Sequence, residues 1–565
     1  MPLLNGTEYY YFEIFSKQTA CELSGYFDSS FYTERVLEAC NTEAAIRHAA
    51  IALGALQKTL EQPSSSSNVP SDSSRAHEEQ LRHWQVAVRQ YSEACNAMMA
   101  MRDPDPSSLR TQLMASVLLA SFDSFVGDFR QAISQIQSGL DLLERIRFIE
   151  RLPAYGVATG TAEEELTIIF MRMAIQAKTY DLSFHFPEPY IVRFTSPAQH
   201  QARLQRLNQP DRQQGLDATL HDQNIHHSSP GTGSDTGSAT PSDSPPSPPP
   251  FTSVQEARLA HDRLNERLVR FQESMNIRPK ERSRIAMPTP WLQEISLFKA
   301  QLASWAQAFE PLFQSRHAPH FSRKERARVS VLKIAHLTAI VISAVQFSSS
   351  EVAFDQHHAL FQSMIDLTME IVQEEEVESA SACRSESAFC HHQRQLPADY
   401  LSAGVFSACH IKPTFSMDQG IVAPLFVIAT KCRLPALRRQ AIELLKSCGR
   451  REGMWDSELT ARIAHWVMTL EEALPAPEGQ GPSTDNPVAQ GTQSEKSSGD
   501  SAAYFNDLGA FMSSNAYSAV PPERRLTLKS VDFDLRARRA VVSVGTRDSA
   551  ENLPDPRYRS TRITW

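Results

Sequence analysis

Residues 109–146 read LRTQLMASVLLASFDSFVGDFRQAISQIQSGLDLLERI. Apolar residues recur every three or four positions on both sides of Gly127-Asp128, the spacing of helices that each bury one stripe. The joint is too short for anything but a tight reversal. The pattern therefore predicts an αα-hairpin of Leu109 to Val126 and Phe129 to Ile146. Ala132 and Gly139 are small enough to let helices approach closely.

The same period continues outward. Asn41-Thr42 can cap a helix with Ile46, Ala49, Ala50, Leu53, Leu56 and Leu60 on its face, ended by Pro63 and Ser64 to Ser67. A helix from His77 to Met101 would carry Trp84, Val88, Tyr91, Cys95 and Met98 on one stripe, and another would run from Glu163 to Leu182 with Thr161 as cap. Ser253 to Glu256 and Ser322 to Glu325 read as capping boxes, and Thr289-Pro290 as a third start. Further helices are expected at Phe354 to Val372, Ile421 to Thr430, Pro435 to Lys446 and Asp456 to Glu472, with Glu374 to Gln395 irregular. Arg525 to Phe533 and Arg538 to Val544 alternate instead, as a terminal β-hairpin would.

Two stretches break the pattern. Ser228 to Pro250 is Pro, Ser and Gly with nothing apolar larger than Ala before Phe251, and Leu474 to Ala502 is similarly poor. Such segments bury too little area to offset an ordering cost of roughly 1–2 kcal/mol per residue. The expected class is all-α. It is an irregular array of antiparallel helical hairpins in two halves, with disordered linkers and a small C-terminal β-hairpin. The divisions are N-terminal helices 1–62, a short linker 63–76, a first helical half 77–195, a disordered linker 196–250, a second helical half 251–473, a disordered linker 474–520, and a hairpin and tail 521–565.

Composition excludes some roles. The 565 residues carry 56 Lys plus Arg against 65 Asp plus Glu, a net charge of −9, which does not suit a chain that coats nucleic acid by bulk charge. MPLLNGTEYYYFEIF lacks the basic and apolar regions of a secretory signal, and the window Ile334 to Val345 is too short to span a bilayer. A soluble intracellular chain with its eight Cys reduced is the expectation.

Chemistry-bearing patterns are few. Cys383, Cys390, His391, His392, Cys409 and His410 concentrate soft ligands, but no C-x2-C pair is present, and a polar loop beside a helical thiol fits as well. No G-x-S-x-G, Gly-rich phosphate loop or H-E-x-x-H occurs, so no catalytic residue, cofactor or metal is expected. Glu163 to Glu165 and Glu374 to Glu376 read as solvated helix turns. Arg278 to Arg284 and Arg323 to Arg328 are basic stretches that could meet phosphates or an import receptor. For the second, a solvated helical face is the simpler reading. From Pro521 onward ten Lys/Arg stand against six Asp/Glu, a net of +4. Cys432-Arg433-Leu434-Pro435 and Gly449 to Ser457 are the densest unusual strings. Gly449 can end one helix, Asp456 or Ser457 can start the next, and Trp455 can fill the joint, with Arg450 and Glu452 able to pair. A rigid corner is one reading. A partner or effector contact through Arg450, Arg451, Glu452 and Trp455 is the other.

These strings carry a resemblance. Thr19 to Asp28, Ala45 to His48 with Ala52 to Leu56, Phe125 to Leu143, Pro424-Leu425-Phe426, Lys431-Cys432-Arg433 and Arg450 to Ser457, in this order, resemble the regulatory body of fungal binuclear zinc-cluster transcription factors. The family's DNA-binding module resembles a six-Cys array built on C-x2-C pairs around two zinc ions. Cys21 and Cys40 are the only Cys before Cys95, so Met1 falls where that module and its linker would end; the expectation is a head either absent from this chain or encoded upstream of Met1, and no zinc-binding or DNA-contacting residue carries over. The resemblance implies a regulator of the nucleus, or of nucleus and cytoplasm, that acts through other transcription regulators or a small-molecule effector. It implies neither catalysis, nor membrane attachment, nor sequence-specific DNA binding by this chain alone. A cytosolic helical scaffold or effector-binding protein is the alternative, and an α-helical enzyme seated at Cys383 to His410 a third.

Overall fold

A computed structural model describes residues 4–27, 29–60, 70–101, 106–150, 161–185, 191–194, 248–276, 289–345, 348, 350–381, 410–447, 449–473, 520–547 and 555–565. They are mostly helical. The helices are α1 (Gly6–Ile14), α2 (Ala20–Leu23), α3 (Val36–Ala39), α4 (Ala44–Lys58), α5 (Pro70–Ala100), α6 (Pro106–Val126), α7 (Phe129–Glu150), α8 (Thr161–Phe184), α9 (Val254–Asn276), α10 (Thr289–Ser315), α11 (Arg323–Val345), α12 (His358–Ser381), α13 (Val422–Lys431), α14 (Pro435–Ser447) and α15 (Ser457–Glu472). Strands are β1 (Thr414–Ser416), β2 (Arg450–Glu452), β3 (Trp455–Asp456), β4 (Thr527–Asp534), β5 (Arg539–Gly545) and β6 (Arg559–Thr564).

Grouping in space differs from grouping along the chain. One compact unit takes Met1–Ile191 together with Pro319–Trp565, and the other is Val192–Ala318. In the larger unit α4 is buried nearly all round, with Ile46, Ala49, Ala50, Leu53 and Leu56 among its covered residues. α1, α5 and α6 pack on it. Gly54 is required there, because a Cβ would overlap the Tyr11 carbonyl of α1. Within the smaller unit α9 and α10 are antiparallel. Phe251 N–H donates to Ala308 O (3.0 Å), Trp305 Nε1–H donates to Ala257 O (2.9 Å), and at the far end Phe271 meets Phe298 at 5.6 Å.

The α6–α7 hairpin forms as expected, with Gly127 at φ +88° in the turn. Gly139, however, serves a different neighbour: a Cβ there would overlap the fully buried Phe170 ring of α8. Gly139→Ala is therefore expected to destabilise by about 1–3 kcal/mol, the usual cost of overpacking, read as a lower urea midpoint at unchanged slope.

Several expectations are corrected. Position Glu43, not Asn41 or Thr42, precedes α4 and supplies no side-chain cap. α5 begins at Pro70, inside the expected 63–76 linker. Its buried stripe is Ala87, Gln90 and Ala94, small enough to sit close to α4, so Val88 is left exposed and Trp84 receives Arg536 over its ring at 4.4 Å. The region after Glu374 is helical to Ser381. The terminal hairpin has a third strand, in the antiparallel order β4-β5-β6. The linkers 196–250 and 474–520 lie outside the described residues except for 248–250 and Val520. α11 is long and apolar enough to cross a membrane by length and composition, which the shorter window Ile334 to Val345 did not indicate. Val329, Leu332, Ile334, Leu337 and Val341 along it are buried within the protein. Cys40 and Cys432 are buried thiols, Cys21 is exposed and Cys95 lies between; all four are free.

Candidate functional site

The Gly449–Ser457 string builds a small sheet. β2 pairs in parallel with β1 through Arg451 and Phe415, and turns back on β3 through Glu452 and Trp455. The left-handed residue is Gly453 (φ +57°) rather than Gly449. Asp456 caps α15, its carboxylate accepting from Leu459 N–H at 2.8 Å.

All four candidate residues are engaged inside the fold. The Glu452 carboxylate accepts backbone N–H groups from Gly420 (3.1 Å), Ile421 (3.0 Å) and Val422 (2.9 Å), so a negative charge sits where the first turn of α13 exposes unpaired donors. Burial pushes this carboxyl above its ordinary range, against those amides and Arg450. Arg450 donates to the Tyr26 hydroxyl at 2.8 Å and pairs with Glu375. Arg451 pairs with Asp456 (3.0 Å) and donates to Phe125 O (2.9 Å); its side chain alone of the four keeps a substantial exposed fraction. Trp455 is 1% exposed, between Tyr180 (4.8 Å), Phe184 (5.5 Å) and Phe426 (5.6 Å).

Gly453 holds the corner closed. Its N–H donates to Ser416 O at 2.6 Å, and a Cβ would overlap Gln176, whose amide donates to Glu452 O at 3.1 Å. Gly453→Ala combines a left-handed backbone with loss of that bond, so a destabilisation of about 2–3 kcal/mol is expected in urea melts.

Glu374, Glu375 and Glu376 do not form a solvated turn. Being consecutive on a helix they diverge, and each finds its own partner: Arg326 at 3.0 Å, Arg450, and the His410 ring at 2.5 Å. Arg326 thereby leaves the expected solvated face of α11, and Arg328 does likewise by donating to Tyr26 O at 2.9 Å. Glu165 accepts from Ser30 at 2.9 Å while Glu164 is exposed. The stretch Arg278 to Arg284 and the ligand candidates Cys383, Cys390, His391, His392 and Cys409 lie outside the described residues. Among the described residues no group of His, Cys, Asp or Glu is placed to hold a metal ion.

A second centre escaped the sequence reading. Arg433, Arg438 and Glu471 are buried together, Glu471 lying 2.9 Å from Arg433 and 2.7 Å from Arg438. Glu351 joins them, 3.2 Å from Arg433, 3.0 Å from Lys431 and 2.9 Å from Arg547. Arg525 pairs with Asp355 at 2.8 Å, and Leu526 N–H donates to Glu471 at 2.7 Å. This network fastens the C-terminal sheet to the helices. Burial would raise the Glu351 carboxyl, yet Lys431, Arg433 and Arg547 outweigh it and hold the group down at about 2. Arg433 stands in the Cys432–Pro435 string, but its carboxylate partners Glu351 and Glu471 are far along the chain, and spacing gives no hint of them.

No family model matches the chain, and no solved structure matches it. A partial likeness does exist. Over 64 residues, 11% of this chain and 10% of the relative, the chain is 42% identical to the "Aspercryptin biosynthesis cluster-specific transcription regulator atnN" of Emericella nidulans. The match thus spans about a tenth of that relative's length, and over that stretch the chain is similar to a fungal transcription regulator.

Proposed function

We propose that the chain is a transcription regulator of the zinc-cluster type, acting in the nucleus through other regulators or a bound effector and without catalysis. The 64-residue likeness to a cluster-specific regulator carries this reading. The order of the resembling strings supports it. Control of a set of clustered biosynthetic genes is its narrower form. The Gly449–Ser457 corner serves as the rigid seat of the body, with Arg451 the member best placed to meet a partner.

Tethering tests the reading. The full chain fused to a heterologous DNA-binding domain is expected to change a reporter's output several-fold. A fluorescently tagged chain is expected in the nucleus in at least one growth condition. An unchanged reporter together with steady nuclear exclusion would favour the cytosolic scaffold instead.

A further inference from the structure

We propose that β6 is a docking edge for an extended, acidic segment of a partner polypeptide, which adds as a fourth strand to the C-terminal sheet. This goes beyond the regulatory reading and does not depend on it.

The sheet order β4-β5-β6 leaves β4 and β6 at the two edges. Edge strands offer rows of unpaired N–H and C=O groups, and proteins blunt the ones they do not use. β4 is blunted: its register breaks between Leu528 and Ser530, and Phe533 fastens it beside Phe129 at 5.2 Å. β6 has neither device. Its six residues pair with β5 without a register break, contain no Pro, and are exposed or half-exposed throughout.

Charge selects the occupant. The terminal stretch 555–565 holds three Arg against one Asp, a net of +2. That Asp is consumed, since Asp555 accepts Thr546 Oγ1–H (2.9 Å) and Arg557 N–H (3.0 Å). Arg559 reaches only the Pro556 and Tyr558 carbonyls, and Arg562 makes no hydrogen bond or ion pair among the described residues. A second copy pairing β6 to β6 would gather four of these arginines with no carboxylate between them. An acidic strand satisfies them. Arg562 lies opposite Val541 and Arg559 opposite Val544, on opposite faces of the sheet. An antiparallel partner would therefore place carboxylates three residues apart, with a β-branched residue opposite Ile563.

The test titrates the full chain against labelled Thr-Val-Glu-Val-Thr-Glu and follows fluorescence anisotropy. Saturable binding is expected, weakened at least roughly ten-fold in the R559E/R562E variant. That variant is expected to bind Thr-Val-Lys-Val-Thr-Lys instead, which separates a charge effect from misfolding. A glutamate peptide N-methylated on alternate residues keeps its charge but cannot pair as a strand, and it is expected not to bind. Equal binding of the methylated peptide would reduce the contact to bulk charge and overturn the proposal. So would absence of binding by the glutamate peptide, or a concentration-dependent dimer of the parent chain that R559E/R562E abolishes.

Discussion

Glu471→Ala is expected to lower the unfolding free energy by about 3–5 kcal/mol, the usual loss when one partner of a buried ionic cluster is removed. Both Arg433 and Arg438 are buried, and Glu471 is their shared carboxylate. Burial would raise the Glu471 carboxyl, but Arg433 and Arg438 outweigh it and hold it below its ordinary value. Removing it leaves Arg433 with Glu351 alone as a carboxylate partner, takes from Arg438 its nearest carboxylate, and leaves Leu526 N–H without its acceptor. Glu471→Gln keeps the shape and the acceptor, so it should lose less. The pH dependence follows the same sign. A depressed carboxyl stabilises fully above its unfolded value and stops doing so as pH falls through its folded value. For Glu351 that window runs from about 4.5 down to about 2. Equilibrium urea unfolding measures both effects. A loss below about 1 kcal/mol for Glu471→Ala would mean the C-terminal sheet is not held by this network.

Asp123 predicts the opposite sign. Its carboxyl is buried on α6, and that burial raises it from 3.8 to about 8, against the Tyr91 hydroxyl that donates to it at 3.2 Å and with help from Asp128. The fold thus prefers the protonated acid. Unfolded chains release this proton near the ordinary value while the folded chain keeps it. Stability contributed here is complete below about pH 4 and is lost as pH rises toward about 8. Asp123→Asn keeps a neutral side chain that needs no proton. The variant is expected to match the parent near pH 4 and to exceed it by several kcal/mol near pH 8, with about 5 kcal/mol as an upper bound. Thermal melts across that range give the comparison; parallel curves for parent and variant would refute a neutral Asp123.

The helices were legible because a 3.6-residue period, caps and turn glycines are local signals. The α6–α7 hairpin and the Ser322 box, where Ser322 and Glu325 bond reciprocally, illustrate this. Partner choice was not legible. Gly139 marks a close approach in the sequence without saying to which helix, and α5 buries its alanines rather than its larger residues because α4 lies close. β6 was missed because RSTRIT is polar and is separated by more than a tight turn from β5, the preceding strand with which it pairs. At the site, the corner role of Trp455 and the Asp456 cap were readable from turn chemistry. The three separate partners of Glu374 to Glu376 were not, since each comes from a distant segment.

A chain that regulates transcription, as proposed, alters transcript levels in its host. Comparing transcripts of the native host with and without the gene tests it most directly. A coherent change in a limited set of genes is expected, reversed when the full chain is restored. Indistinguishable transcript profiles across growth conditions would contradict it.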